Sequence, residues 1–200
     1  HPGRVAALIA EPVAGNMGVV PPAPGFLEGL RELCTRHGTL LIFDEVITGF
    51  GRLGEWFGSQ AFGIAPDVMT LAKGISSGYQ PISAVALGPR MGDALATANE
   101  ELVHGFTWSG HPVACAVSLK NLEIIEREKL VDRVRDDIGP YFQAKVGELR
   151  SHPLVGEVRG RGLLAAIELV KDKGKRTFFD RDMDVGTQCR NHCFANGLVM

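Results

Sequence analysis

The stretch Thr-Leu-Leu-Ile-Phe-Asp-Glu at residues 39–45 decides the fold class of this chain. A short apolar run that stops abruptly at two acids is typical of a strand buried on both faces of a parallel sheet. A similar run lies at residues 5–10, and residues 26–37 between the two have helical apolar spacing, followed by Gly38 where a helix would end. We therefore predict a strand–helix–strand unit with the right-handed crossover of parallel strands.

Further strands continue this sheet. Residues 68–72 predict a third strand, which ends at Lys73, and residues 83–87 predict a fourth after a loop rich in Gly and Ser. This part of the chain is therefore expected to be α/β, with a mostly parallel sheet.

The carboxyl-terminal part has a different pattern. A helical stretch extends from Pro112 to about residue 150, and Gly139-Pro140 predicts a break in it because proline interrupts a helix. Residues 155–170 predict a pair of antiparallel strands. We expect two domains: residues 1–140, part of a large sheet domain including the long connecting helix, and residues 141–200, an incomplete small domain.

Composition excludes several classes of function. The 200 residues are 45% hydrophobic and 22% charged with a formal charge of −2, so no basic excess indicates nucleic-acid binding. No apolar run is long enough to cross a membrane. Four scattered cysteines predict reduced thiols and a cytoplasmic protein rather than a disulfide framework. The chain begins without Met and ends where a strand is expected to start, so we expect a fragment.

Three predicted strands end on ionisable residues: Glu11, Asp44 with Glu45, and Lys73. Ligands bind at the carboxyl ends of strands in open parallel sheets. A lysine there can have its amine desolvated, which frees it to form an imine. A bare Asp44 carboxylate is costly beside an apolar strand unless it is paired, and a protonated pyridine nitrogen is a fitting partner.

Other interpretations of these residues stay open. An apolar run followed by Asp44-Glu45 also describes the magnesium-binding strand of nucleotide hydrolases, although this chain lacks a Gly-x-x-x-x-Gly-Lys-Ser/Thr loop. Cys189, His192 and Cys193 lie close together, but a closed zinc site needs about four ligands, so we expect no metal there. A non-catalytic interaction protein on this fold would be expected to lose the lysine or the aspartate.

The ordered combination of motifs is more specific than any one of them. The motifs are Glu11-Pro12-Val13, residues 44–52 (Asp-Glu-Val-Ile-Thr-Gly-Phe-Gly-Arg), Ala65-Pro66-Asp67, Ala72-Lys73-Gly74, and residues 104–107 with His111-Pro112. With them the chain closely resembles class III pyridoxal-phosphate-dependent aminotransferases. The resemblance implies fold type I, the aspartate-aminotransferase-like fold, with pyridoxal 5′-phosphate as cofactor and a homodimer with shared active sites.

The resemblance also implies roles for particular residues. Lys73 would hold the cofactor as an internal aldimine and then shuttle a proton. Asp44 would pair with the pyridine nitrogen, and Val46 would pack against one face of the ring. Thr107 would donate a hydrogen bond to the cofactor phosphate across the dimer interface, and Glu11 would lie near the substrate.

Residues 54–60 and 189–198 resemble the putrescine (polyamine) and omega-amino-acid:pyruvate branch of the family. Trp56 and Phe57 are predicted to line a pocket for the methylene chain of the amine. We expect amino transfer from a terminal amine, such as a putrescine-like diamine or an omega-amino acid, to pyruvate or another 2-oxo acid. An aminomutase, a racemase or a dialkylglycine-type decarboxylase would keep the same lysine and aspartate. The fragment alone is expected to be inactive.

Overall fold

The sheet has the predicted mostly parallel order in a computed structural model that describes residues 3–98 and 101–199. Strands β1 (Ala7–Ala10), β2 (Leu40–Asp44) and β3 (Val68–Leu71) are parallel neighbours. Strand β4 (Ala84–Leu87) pairs antiparallel with β3. The strand–helix–strand prediction is confirmed, because helix α1 (Phe26–His37) connects β1 to β2.

Helix α1 covers one face of the sheet. Its buried Leu27 and Cys34 pack with Leu41 and Phe43 of β2, since alternate residues of a strand point to the same face. Asp44 therefore falls on the opposite face. The helix ends as predicted at Gly38, whose φ of 67° lies in the left-handed region that glycine adopts without strain.

Six further helices and one hairpin complete the described part of the chain. They are α2 (Gly58–Phe62), α3 (Pro89–Ala98), α4 (Pro112–Arg127), α5 (Leu130–Arg133), α6 (Gly139–Glu148) and α7 (Val185–Ala195), with β5 (Val155–Arg161) and β6 (Leu164–Leu169) forming the predicted antiparallel pair. Short 3₁₀ turns occupy Lys73–Ile75, Leu149–Ser151 and Arg181–Met183. Among residues 3–98 and 101–199, every helix is too short or too polar to cross a membrane.

The break predicted at Gly139-Pro140 is wrong. The helical stretch is interrupted earlier, after α4, where Lys129 has a φ of 51°. Val134–Ile138 then forms a π-helical turn that continues directly into α6. A proline ring clashes with the carbonyl four residues before it, and the wider turn accommodates that ring without ending the helix. Gly139 is required there because a Cβ would collide with the carbonyl oxygen of Val134.

The β5–β6 hairpin packs on the loop that follows β2. The amide of Leu163 donates to the carbonyl of Arg52 at 2.9 Å. The guanidinium of Arg161 lies 4.2 Å from the centre of the Phe62 ring and donates to the carbonyl of Ala61 at 2.7 Å. These contacts tie the carboxyl-terminal hairpin to the sheet region, and the domain boundary near residue 140 stays a prediction.

Asp67 links the sheet to α1 from the loop before β3. Its Oδ2 accepts hydrogen bonds from the Leu41 amide at 2.8 Å and from Arg31 at 2.9 Å. Burial raises the pKa of the Asp67 carboxyl, but the bond from Leu41 and the bonds and charges of Arg31 and Arg90 outweigh it. The pKa of Asp67 therefore lies below its usual range.

We expect Asp67→Asn to lower the free energy of unfolding by about 1–3 kcal/mol at pH 7, because the amide loses the charge that faces the two arginines. A lowered pKa in the folded state contributes stability above the unfolded value of about 3.9, and this contribution is lost as the pH falls through the folded value. Denaturant unfolding of the full-length protein, wild type and Asp67→Asn, at pH 7 and near pH 3 measures the loss of unfolding free energy and its dependence on pH. An effect of equal size at both pH values, or one no larger than that of exposed Asp93→Asn, would contradict the assignment.

Candidate active site

Asp44 ends β2 on the face of the sheet away from α1. Its Oδ1 accepts a hydrogen bond from the Val46 amide at 3.0 Å. Its neighbour across the parallel ladder is Thr70 on β3, so the two side chains share one face. The Thr70 Oγ1 is buried and has no hydrogen-bond partner in the part of the chain that the structure describes. A carboxylate and an unsatisfied hydroxyl therefore lie side by side at this end of the sheet.

Lys73 follows β3 at the same edge, three residues after Thr70. It begins the 3₁₀ turn with a φ of 43°, which is uncommon for a residue with a side chain. The next residue must be glycine, because a Cβ on Gly74 would lie 2.9 Å from the Cβ of Phe50. Phe50 itself has a φ of 59°. Backbone strain of this kind clusters at functional sites, where the surrounding structure maintains it.

The desolvation expected for the Lys73 amine is not observed in this chain. The residue is exposed. The turn is held through its other residues: Phe50 packs against Gly74, and the Asn121 side chain donates to the carbonyls of Gly74 and Ile75. The amine is therefore open to a ligand in this chain.

Glu45 points to the face of the sheet opposite to Asp44 and is fully buried. Its carboxylate accepts hydrogen bonds from the Thr48 hydroxyl at 2.5 Å, the Gly58 amide at 2.7 Å and the Ser59 amide at 2.6 Å. The last two donors open α2, where a negative charge is favourable. Glu45 therefore faces away from Asp44, and its carboxylate is held by three donors on the far side of the strand. This arrangement does not favour the nucleotide-hydrolase alternative, in which both acids would serve one magnesium site.

Glu11 and Trp56 both approach the segment after Asp44. The Glu11 Oε2 accepts the Gly15 amide at 3.0 Å, and a Cβ on Gly15 would lie 2.7 Å from Ile47. The Trp56 carbonyl accepts the Phe50 amide at 2.5 Å. Trp56 therefore holds the backbone of Phe50, the residue that packs on Gly74. Trp56 itself is partly buried.

Thr107 lies in an exposed turn of the loop that precedes α4. The turn is closed by the Phe106 amide, which donates to the Ser109 hydroxyl at 3.0 Å. Phe106 and Trp108 on either side are 75% and 77% exposed. An open groove of about 1090 Å³ separates this turn from residues 80–84. The structure thus presents Thr107 to solvent between two large unburied aromatic rings.

Cys189 and Cys193 lie on α7. Burial, followed by the influence of Cys193, raises the pKa of the Cys189 thiol, which favours its protonated form. Within the described ranges, no group of three or more His, Cys, Asp or Glu side chains is placed to hold a metal ion. The predicted cytoplasmic location stays a prediction.

Thr70 was missed in the sequence, although a signal for it exists. It stands three residues before Lys73, near the end of the third predicted strand. If the second and third strands end together, Thr70 lies beside Asp44, and paired residues of neighbouring strands point to the same face. Its lack of a partner could not be deduced from the pattern, because that depends on what packs around the hydroxyl.

These residues fit pyridoxal phosphate. Asp44 can face the protonated pyridine nitrogen, the unsatisfied Thr70 hydroxyl can bond a polar group beside it, and Lys73 places an accessible amine at the same edge. A mostly parallel α/β sheet with an acid and a lysine at the ends of adjacent strands defines a fold-type I pyridoxal-phosphate-dependent transferase.

The chain belongs to the class III aminotransferase family, because the sequence model described as Aminotransferase class-III matches residues 1–195. Members of this family depend on pyridoxal 5′-phosphate. A putrescine–pyruvate aminotransferase of Pseudomonas aeruginosa is 50% identical over 197 residues, which are 98% of this chain and 43% of that protein. A diaminobutyrate–2-oxoglutarate transaminase of Halomonas elongata is 44% identical over 202 residues, covering 99% of this chain and 43% of that protein.

Solved structures give the same result. An (S)-enantioselective omega-transaminase from Thermomicrobium roseum superposes with a TM-score of 0.91 at 42% identity, over 96% of this chain and 43% of that one. The chain thus spans less than half of the length of these relatives.

We expect Glu45→Gln to lower the free energy of unfolding by about 2–4 kcal/mol, because the amide replaces an acceptor of three hydrogen bonds with a group that is partly a donor. Chemical denaturation of the full-length parent measures the loss. Glu123→Gln is the control, because Glu123 is exposed on α4, and such surface pairs contribute about 0–1 kcal/mol. Equal losses in the two variants would show that Glu45 does not hold the loop.

Proposed function

We propose that the full-length protein is a pyridoxal-phosphate-dependent aminotransferase that moves an amino group from a terminal amine to a 2-oxo acid. The observation that carries the proposal is the arrangement of Asp44 and Lys73 at one edge of the sheet, on the ends of adjacent parallel strands, in a chain of this family. Because the chain spans 43% of its relatives' length, the activity is proposed for the whole protein.

Asp44 and Val46 are proposed to bind the cofactor ring. One oxygen of Asp44 is already bonded to the Val46 amide, which fixes the carboxylate and leaves the other oxygen for the pyridine nitrogen. The same bond places Val46 next to the carboxylate, in position to pack on one face of a ring. A carboxylate at this place keeps the nitrogen protonated, and pyridoxal phosphate, when bound, supplies an electron sink for the substrate carbon.

Lys73 is proposed to hold the cofactor covalently and to act as general base. Once the substrate amine takes its place, the Lys73 Nζ is free to remove the proton from the carbon that bears that amine. The left-handed backbone of Lys73 and the contact of Phe50 with Gly74 limit the directions from which the side chain can extend. Glu11, beside the segment after Asp44, is proposed to lie near the substrate.

A homodimer is proposed because the turn at Thr107 presents aromatic surface. Phe106 and Trp108 are about three-quarters exposed, and aromatic residues are enriched in the buried centres of protein interfaces. Docking of a second protomer on this turn would bury both rings and bring Thr107 to the partner's site. There its hydroxyl would donate to the cofactor phosphate.

We propose a putrescine-like diamine or omega-amino acid as donor and pyruvate as the preferred acceptor. The names of two relatives specify putrescine with pyruvate and diaminobutyrate with 2-oxoglutarate. Putrescine and diaminobutyrate both carry a primary amine at the end of a methylene chain. The Phe57 ring packs edge-on against Phe50 at 5.5 Å, and Phe50 covers Gly74, the residue after Lys73. We propose that Trp56 and Phe57, which are both partly buried, contribute apolar surface for the methylene chain of the donor.

We expect the full-length protein with pyridoxal phosphate to absorb in the near-visible range and to retain the cofactor on Lys73 after borohydride treatment, as read from the mass of the Lys73 peptide. Lys73→Ala should retain no cofactor after the same treatment. Asp44→Asn should keep the covalent attachment but lower kcat by at least about 100-fold, because the ring nitrogen loses its charged partner. Asp137→Asn, on the π-helical turn, is the control. Retention of the cofactor by Lys73→Ala after borohydride would contradict the assignment.

Trp56→Ala is expected to raise KM for putrescine about tenfold while kcat changes little, since a wall contact to a methylene chain contributes to binding rather than to the proton step. Steady-state assays with putrescine and beta-alanine, each with pyruvate and with 2-oxoglutarate, measure this and the acceptor preference. Release of carbon dioxide, racemised substrate, or an amine moved within one molecule would favour the decarboxylase, racemase or aminomutase alternatives.

A further inference from the structure

The turn that begins at Lys73 is held by a residue on a distant helix. The Asn121 side chain of α4 donates from Nδ2 to the carbonyl of Gly74 at 2.9 Å and to the carbonyl of Ile75 at 3.1 Å. These are the two residues that directly follow Lys73. A single amide group therefore bonds two of the three carbonyls of the turn, from a helix position 47 residues after Gly74.

This turn needs such support because its backbone is strained. The 3₁₀ turn has three residues, and its first residue, Lys73, has a φ of 43°. An unusual backbone conformation persists only where the surrounding structure over-determines it. Phe50 packs on Gly74, and Asn121 bonds the carbonyls of two consecutive peptides, those of Gly74 and Ile75. The two contacts together leave the turn little freedom to relax.

Asn121 is well placed to act as a rigid support. Ala114, Ser118 and Ile125 are the buried residues of α4, and Asn121 lies on the same helical face, three residues after Ser118 and four before Ile125. Its backbone is therefore fixed by a packed helix. An asparagine amide carries two N–H donors, whereas an ionised aspartate carries acceptors only and would face two carbonyl oxygens with a negative charge.

We propose that Asn121 is a positioning residue for Lys73. Its amide fixes the Gly74 and Ile75 carbonyls, and the fixed turn keeps the Lys73 backbone in the left-handed conformation from which the amine reaches the cofactor. The inference rests on the proposed role of Lys73 as the cofactor-binding lysine. It differs from a stability role, because loss of the two bonds would slow attachment of the cofactor even in protein that remains folded.

The chain offers a matched control. Gln143 on α6 likewise donates from its side-chain amide to two backbone carbonyls, those of Gly162 and Leu164, both at 2.9 Å. It is part-buried like Asn121, but the carbonyls belong to the β5–β6 hairpin rather than to the Lys73 turn. Asn121→Leu and Gln143→Met each remove two amide bonds with little change of side-chain volume.

The experiment uses the full-length apoprotein and follows the near-visible absorbance after pyridoxal phosphate is added. Asn121→Leu is expected to attach the cofactor about tenfold more slowly than the wild type and to lower kcat at least about tenfold, because a misplaced reacting group is costly. KM for the amine should change less than about twofold. Gln143→Met is expected to show a similar fall in the melting temperature of the apoprotein with unchanged attachment and kcat.

Equal attachment rates in the Asn121→Leu, Gln143→Met and wild-type proteins would overturn the proposal. If Asn121→Leu does not fold, Asn121→Ser, which removes both amide donors without adding bulk, is judged by the same rates. Failure of the wild type itself to attach pyridoxal phosphate would instead contradict the proposed function, so the two failures are distinguishable.

Discussion

The buried carboxylate of Glu45 determines how the rest of the site is built. It connects the end of β2 to the start of α2 through the amides of Gly58 and Ser59 and closes the intervening loop with the Thr48 hydroxyl. A buried charge is tolerated only where donors surround it, so the carboxylate holds the loop in the conformation that supplies these three donors. The positions of the other loop residues, Phe50 and Arg52 among them, depend on this conformation.

Two structural consequences follow from the closed loop. Phe50 is brought over Gly74, which joins the loop after β2 to the turn after β3. The carbonyl of Arg52 is presented to Leu163, so the carboxyl-terminal hairpin docks on the same loop. Glu45 therefore supports Asp44 from the opposite side of the strand.

The face of the sheet that carries Asp44 also carries much of the exposed apolar surface of the sheet. Ile9 and Val85, each 61% exposed, lie on this face because they pair in register with Ile42 and Thr70. The opposite face is packed by α1 around Phe43. The polar site and the apolar surface thus share one side of the sheet.

The sequence by itself determined the parallel strands, α1 with its end at Gly38, and the delivery of Asp44 and Lys73 to one edge of the sheet. These features follow from apolar periods of 2 and 3.6 residues and from the rule that parallel strands end together, which are local properties. Only the tertiary structure decided the interruption of the long helix at Lys129, the strained backbone of Lys73 and the unsatisfied hydroxyl of Thr70. It also decided the bonds from Asn121, because each of these depends on segments far apart in the chain that meet only after packing.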